Sequence, residues 1–281
     1  MSSSTPPSTP APAAAAPART APGGGPDRGP GPFAPAPGAA PLGRMIRAQA
    51  LLETRMLLRN GEQLLLVVVI PALLLALFSS VDIVDTGSGR AVDFLAPGVL
   101  ALAVLSTAFT GQAIATGFER RYGVLKRLGA SPLPRWALMT AKTCSVLATE
   151  VLQSALLVAI AFALGWSPHG DPAAVVLLML LGTAAFSGLG LLMAGTLKAE
   201  ATLAAANLVF LLLLVAGGVI VPLDKFGGAQ PVLRLLPVSA LSDGLRSVLQ
   251  SGAGVPWGDL GVLAVWAVLG LAAAARFFRW E

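Results

Sequence analysis

Six stretches of this chain run nearly without charge for about as long as a bilayer is thick, and nothing else in the sequence restricts its fold as much. They cover residues 63–81, 94–116, 137–165, 174–196, 202–222 and 258–277. A helix needs about 20 apolar residues to cross the hydrocarbon core, and in lipid each backbone donor and acceptor must be satisfied within the protein. The stretches therefore predict an all-α integral membrane protein with six transmembrane helices. Composition agrees, with 55% of the 281 residues hydrophobic and 12% charged, where a soluble domain is about one quarter charged. Pro71 in the first stretch is expected to kink the helix rather than end it. The third stretch would reach about 43 Å at 1.5 Å per residue, so its start is expected to project into the cytoplasm.

The flanks read differently. Residues 1–43 are mostly Ala, Pro, Gly, Ser and Thr, with scattered Arg19, Asp27 and Arg28. Such a segment buries too little apolar surface to offset chain entropy, so a disordered cytoplasmic tail is expected. It lacks the apolar core of a secretory signal. Residues 44–62 mix Ile46, Leu51, Leu52, Met56 and Leu58 with Arg47, Glu53, Arg55 and Arg59. Long arginines can snorkel, so this reads as an amphipathic helix lying on the inner leaflet. The remaining residues, 63–281, form the six-span domain.

Basic residues set the orientation, because Lys and Arg are retained on the cytoplasmic side. On a six-span reading the inner segments hold Arg44, Arg47, Arg55, Arg59, Arg120, Arg121, Lys126, Arg127, Arg135, Lys198, Arg276 and Arg279, besides those of the tail. The outer segments hold Arg90, Lys225, Arg234 and Arg246. Both termini are thus expected in the cytoplasm and the protein in the inner (plasma) membrane. The loop 82–93, with Asp82, Asp85 and Asp93, fits the outer side.

Several functions are disfavoured. No basic groove interleaved with aromatics suggests nucleic acid as a partner. Cys144, the one cysteine, cannot form an intrachain disulfide and reads as a packing residue. His169, between Pro168 and Gly170, lacks the partners a metal or catalytic site needs. Neither H-E-x-x-H nor G-x-S-x-G is present, so an intramembrane enzyme is not expected.

The densest information lies in Glu119–Pro134, which reads ERRYGVLKRLGASPLP between the second and third stretches. Its charges come with Val124, Leu125 and Leu128 at helical spacing, an apolar face that a solvated loop does not need. Glu119, Arg120, Gly123, Leu125, Leu128, Ser131 and Pro132 match the pattern E-R-x-x-G-x-L-x-x-L-x-x-[ST]-P in register. Before the last stretch, Pro237, Val238, Asp243, Leu245 and Arg246 match P-L/V-x-x-x-x-D-x-L-R, with Gly252 following. In these two motifs and in the order of its segments, the chain resembles the ABC-2 exporter permeases, particularly the daunorubicin and multidrug-resistance branch. The resemblance covers about residues 44–281. Lys126 departs from it, since many relatives carry an acid there.

The resemblance implies the transmembrane subunit of an ATP-driven exporter that moves a lipophilic drug, antibiotic or lipid-like compound out of the cytoplasm. The chain has no G-x-x-x-x-G-K-[ST] phosphate loop, and the Gly-rich GGGPDRGPG of the tail has no Lys-Ser/Thr after it. ATP and Mg are accordingly expected on a separate ABC ATPase subunit, with no cofactor on this chain. Two ATPase copies and a second permease copy, identical or not, would complete the assembly. Glu119–Leu128 is then expected to be the coupling helix. Val124, Leu125 and Leu128 would enter a groove on the ATPase, and Arg121, Lys126 and Arg127 would pair with its acidic rim. A glycan export permease of the same superfamily and a non-transporting membrane scaffold are the alternatives.

Polar residues inside the apolar stretches complete the reading. Glu150, with Gln153 nearby, is either a pathway-lining, proton-sensitive site or a protonated acid bonded to neighbouring helices. Lys142 is expected to snorkel to the inner boundary, and a Lys142–Glu150 bridge is not expected at that spacing. Residues 223–257 interleave apolar residues with Asp243, Arg246 and Gln250. The resemblance suggests short re-entrant helices capping the outer mouth, with a surface loop as the alternative. Ala184–Gly188 and Gly190–Ala194 are small-xxx-small pairs suited to close helix packing, and Gly217–Gly218 thins the fifth span.

Overall fold

The computed structural model describes residues 40–59, 61, 68–80, 90–129, 134–219 and 223–279. The proposed disordered tail, most of loop 82–93, and Ser131 with Pro132 of the first motif lie outside the described residues, as do residues 63–67 of the first predicted span. The described part is all-α, without a strand. It comprises α1 (Leu42–Arg59), α2 (Ile70–Ser80), α3 (Ala91–Arg121), α4 (Val124–Gly129), α5 (Arg135–Ala163), α6 (Pro172–Thr196), α7 (Ala199–Ala216), α8 (Pro237–Leu249) and α9 (Trp257–Phe277). A 3-10 segment, Leu223–Ala229, and one helical turn, Gln230–Leu233, precede α8. Five helices, α3, α5, α6, α7 and α9, are long and apolar enough to cross a membrane. This is an integral membrane protein.

The helix limits follow from local chemistry. Asp171 caps α6, its carboxylate accepting from the Ala173 amide at 2.9 Å, and Pro172 fills the first turn, where an amide hydrogen is not needed. Helix α7 stops at Ala216 because Gly217 ends the ladder and Gly218 turns to φ +68. The glycine pair therefore terminates the fifth predicted span, six residues short of 222, instead of thinning it.

Helix α3 is the centre of the bundle. Its most apolar stretch is 83% enclosed by the rest of the chain, against 17% for α7. It is continuous over 31 residues but carries Pro97 and a π-helical stretch, Leu105–Gly111. Helices α6 and α9 pack closely: a Cβ on Gly188 would lie 2.6 Å from the Leu271 amide nitrogen. A Cβ on Gly190 would lie 2.9 Å from the Phe109 carbonyl of α3. Both small-residue pairs are thus spent on packing within this chain.

The long helices alternate in direction. At one end Arg120 of α3 meets the end of α6, Arg121 meets the start of α7, and the Arg279 amide after α9 bonds the Gly195 carbonyl. At the other, Arg90 before α3 donates to the Gly165 carbonyl after α5, and the His169 amide before α6 donates to the Leu249 carbonyl of α8. Helix α8 therefore sits at the end opposite α4.

Candidate functional site

The end of α3 is tied to three other helices. Three consecutive residues there each grip a different helix. Glu119 accepts from Lys142 Nζ of α5 at 2.5 Å. Arg120 donates from Nη1 to the Gly195 carbonyl at 2.7 Å and from Nη2 to the Leu197 carbonyl, just past α6. Arg121 pairs with Glu200 in the first turn of α7. A positively charged guanidinium also suits the carbonyl-rich end of α6.

Two residues later the chain turns. Helix α3 ends at Arg121, Tyr122 caps it, and Gly123 adopts φ +69, a conformation that side chains with a Cβ rarely take. Helix α4 then runs six residues. The predicted coupling helix Glu119–Leu128 is thus two pieces. Glu119–Arg121 belong to the end of the long helix, and Val124–Gly129 project separately. Leu125 is fully buried and fastens α4 to its own chain. Val124, Lys126 and Arg127 are exposed, and Leu128 is half-buried. The apolar face assigned to an ATPase groove is therefore divided. Leu125 is taken up internally, because the Gly123 turn folds it inward, and Val124 faces out beside the two cations. Arg121, expected on the partner's rim, already holds Glu200.

Lys142 is the second difference from expectation. It is 4% exposed and is held by carboxylates instead of extending into water. It lies between Glu119 at 2.5 Å and Glu53 of α1 at 3.5 Å. Helix α1 packs along α5, with Thr54 Oγ1 3.3 Å from Ser145 Oγ, so it covers the position and brings the second carboxylate. Burial pushes the Glu53 carboxyl above the usual carboxylate range, and Lys142 opposes that shift. Sequence reasoning missed this triad. Its signal was an opposed set of charges, Glu53, Glu119 and Lys142, at the ends of three segments meeting one membrane boundary.

The intramembrane polar residues bond across helices. Glu150, 4% exposed, accepts from Thr183 Oγ1 of α6 at 2.5 Å. Gln153 accepts from Thr107 Oγ1 of α3 at 2.8 Å. Cys144, expected to pack, is exposed on α5.

The second motif forms a distinct structure at the other end. Pro237 starts α8, where its missing amide hydrogen costs nothing. Arg246 is buried, its Nη2 donating to the Val219 carbonyl at 2.8 Å and its Nε to the Phe94 carbonyl at 3.3 Å. Its guanidinium carbon lies 3.9 Å from the centre of the Phe94 ring. Asp243, half-buried, lies 3.4 Å from Arg246 Nη1. One guanidinium thereby ties α8 to the start of α3 and the end of α7. Within 223–257, residues 223–233 form short helical turns and α8 is enclosed by the bundle, whereas 250–256 are turn and coil.

A family model for ABC-2 type transporters matches residues 48–249, more than two thirds of the chain. The chain belongs to the ABC-2 type transporter family. It is the membrane-embedded, permease part of such a transporter. The matched segment runs from within α1 to the last residue of α8, so it contains the three-way junction, α4 and the Arg246 staple. No curated protein matches the chain.

Proposed function

We propose that this ABC-2 permease is the transmembrane subunit of an ATP-driven exporter of a lipophilic small molecule, docking a separate ATPase through α4. The observation that carries the reading is the junction at Glu119–Arg121. Any displacement of α4 is handed across the Gly123 turn to the end of α3, and from there by ion pairs and hydrogen bonds to α5, α6 and α7. A loop that only retained positive charge would not need that linkage. The contact with the ATPase falls to Val124, Lys126 and Arg127, with the masking of Leu125 inside the chain keeping α4 in register. Ser131 and Pro132 would follow that contact. In this reading α4 faces the cytoplasm of the plasma membrane, α2 completes a sixth span, and two ATPase copies serve two permease copies. ATP and Mg belong to the ATPase. The covered outer mouth, held by Pro237, Asp243 and Arg246, and the cross-helix bonds of Glu150 and Gln153 would keep the bundle together as it reorients.

The test is the triple variant Val124→Asp, Lys126→Glu, Arg127→Glu. These three side chains are exposed, so membrane insertion and melting temperature are expected to stay at wild-type values while recovery of the ATPase with the permease falls about tenfold or more. Full recovery of the ATPase by the well-folded variant would remove α4 as the docking element.

A further inference from the structure

Glu53, Glu119 and Lys142 also line a cavity of about 200 Å³ between α1, α3 and α5. Two features of its wall are unusual. Gln112 of α3 is 5% exposed, and neither its amide oxygen nor its amide nitrogen has a partner. Thr116, one turn along the same face, is 1% exposed with its hydroxyl likewise unpartnered. Buried polar groups are normally hydrogen-bonded, and leaving them unpaired is costly. Two orphans stacked at i and i+4, with Glu119 continuing the stripe at i+7, form a polar face turned to a space large enough to hold a ligand. Across the cavity Ser145 and Thr149 of α5 present hydroxyls.

The charge balance selects the ligand. Two carboxylates share one ammonium, Lys142, so the cluster is short of one positive charge, and each carboxylate can accept several hydrogen bonds. An anion would meet two carboxylates, whereas a neutral apolar group would leave Gln112 and Thr116 unpaired. Met56 and Leu57 of α1 supply an apolar lip.

We propose that this cavity binds the ammonium head of an amphipathic primary amine. The Gln112 carbonyl and Thr116 hydroxyl accept from the ammonium, Glu53 and Glu119 supply the countercharge, and the alkyl part lies against Met56 and Leu57. The inference extends the exporter reading by giving the cargo a chemical class, and it rests on that reading for the direction of movement only.

The full-length permease, without any ATPase, is placed in phosphatidylcholine nanodiscs and titrated with dansylcadaverine, a dansyl fluorophore on a five-carbon primary amine. Its N-acetyl derivative and a dansyl carboxylic acid of the same length serve as neutral and anionic probes, with empty nanodiscs as background. Saturable binding of the amine is expected, with the acetylated probe about tenfold weaker and the acid weaker still. Gln112→Leu is expected to weaken the amine about tenfold, and Gln112→Glu, which adds a carboxylate, to tighten it about threefold. The gain in Gln112→Glu cannot come from misfolding, and melting temperatures control for the loss in Gln112→Leu. Equal binding of amine and acetylated amine, tighter binding of the acid, no saturable binding, or an unchanged Gln112→Glu would each overturn the proposal. Because no ATPase is present, these outcomes leave the coupling test at α4 standing, and failure of that test leaves these intact.

Discussion

Lys142 shows how a single ionisable side chain depends on what covers it. On its own helix it lies about two turns from the start, near enough for a long side chain to reach past the apolar stretch. Helix α1 closes that route, and two carboxylates replace the lost water. Breaking such a partly buried pair leaves an uncompensated charge, so Lys142→Met is expected to destabilise the chain by about 2–3 kcal/mol. The loss should depend on pH, with a sign fixed by Glu53. Burial already raises the Glu53 carboxyl, Lys142 and the Gln49 side chain oppose the rise, and Glu119 adds to it. Removing Lys142 raises it further. The folded chain then keeps a proton that the unfolded chain has released, so stability grows as pH falls through the folded-state pKa. The melting temperature of Lys142→Met is therefore expected to recover as pH falls from above neutrality towards the ordinary Glu value. A deficit that stays constant across that range would show that Glu53 carries no uncompensated charge there.

At the scale of elements, the apolar run lengths foretold where the long helices lie, because hydrocarbon tolerates little else. Helices α3, α5, α6 and α9 fall within a few residues of the predicted spans, apart from the 31-residue length of α3. That excess, residues 91–93 and 117–121, was hidden because Asp93 and Glu119–Arg121 are charged and so fell outside the apolar run. The split between α3 and α4 was legible in principle from Gly123, since a glycine two residues beyond a basic helix end, just past the cap, is a common stop. Which side of α4 faces out was not legible, because Leu125 and Val124 differ only in where the turn directs them. Helix contacts were readable as small residues but not as partners. Gly188 faces α9, and a Cβ there would lie 2.6 Å from the Leu271 nitrogen and 2.7 Å from the Gly270 carbonyl carbon, both backbone atoms that cannot rotate away. Gly188→Val is expected to cost about 3 kcal/mol or more in stability as the two helices are forced apart. Gly261 on α9 has nothing within 4 Å of its virtual Cβ, so Gly261→Ala is expected to leave the melting temperature unchanged or slightly raised. Equal effects of the two substitutions would show that α6 and α9 do not pack as described.

At the scale of the molecule, the alternation of α3, α5, α6, α7 and α9 sorts most of the described cations beyond α1 into two groups. Arg120, Arg121, Lys126, Arg127, Lys142, Lys198, Arg276 and Arg279 gather at the α4 end, and Arg90, Lys225, Arg234 and Arg246 at the other. That asymmetry favours the cytoplasm for the α4 end. Five crossings place the start of α3 and the end of α9 on opposite sides, so the location of α1 turns on α2. Its eleven described residues, Ile70–Ser80, reach about 16 Å, roughly half the hydrocarbon thickness. Helix α1 nonetheless sits beside Lys142 at the α4 end, while Arg90, ten residues beyond Ser80, sits at the opposite end. The chain between them therefore passes from one end of the bundle to the other. Single cysteines introduced into a Cys144→Ala background test this with a membrane-impermeant maleimide on intact cells. Ser167→Cys, beyond α5, is expected to label directly. Arg47→Cys on α1 and Val124→Cys on α4 are expected to label only after permeabilisation. Direct labelling at Arg47→Cys together with protection at Val124→Cys would mean that α2 does not cross and that α1 has been placed at the wrong end of the bundle.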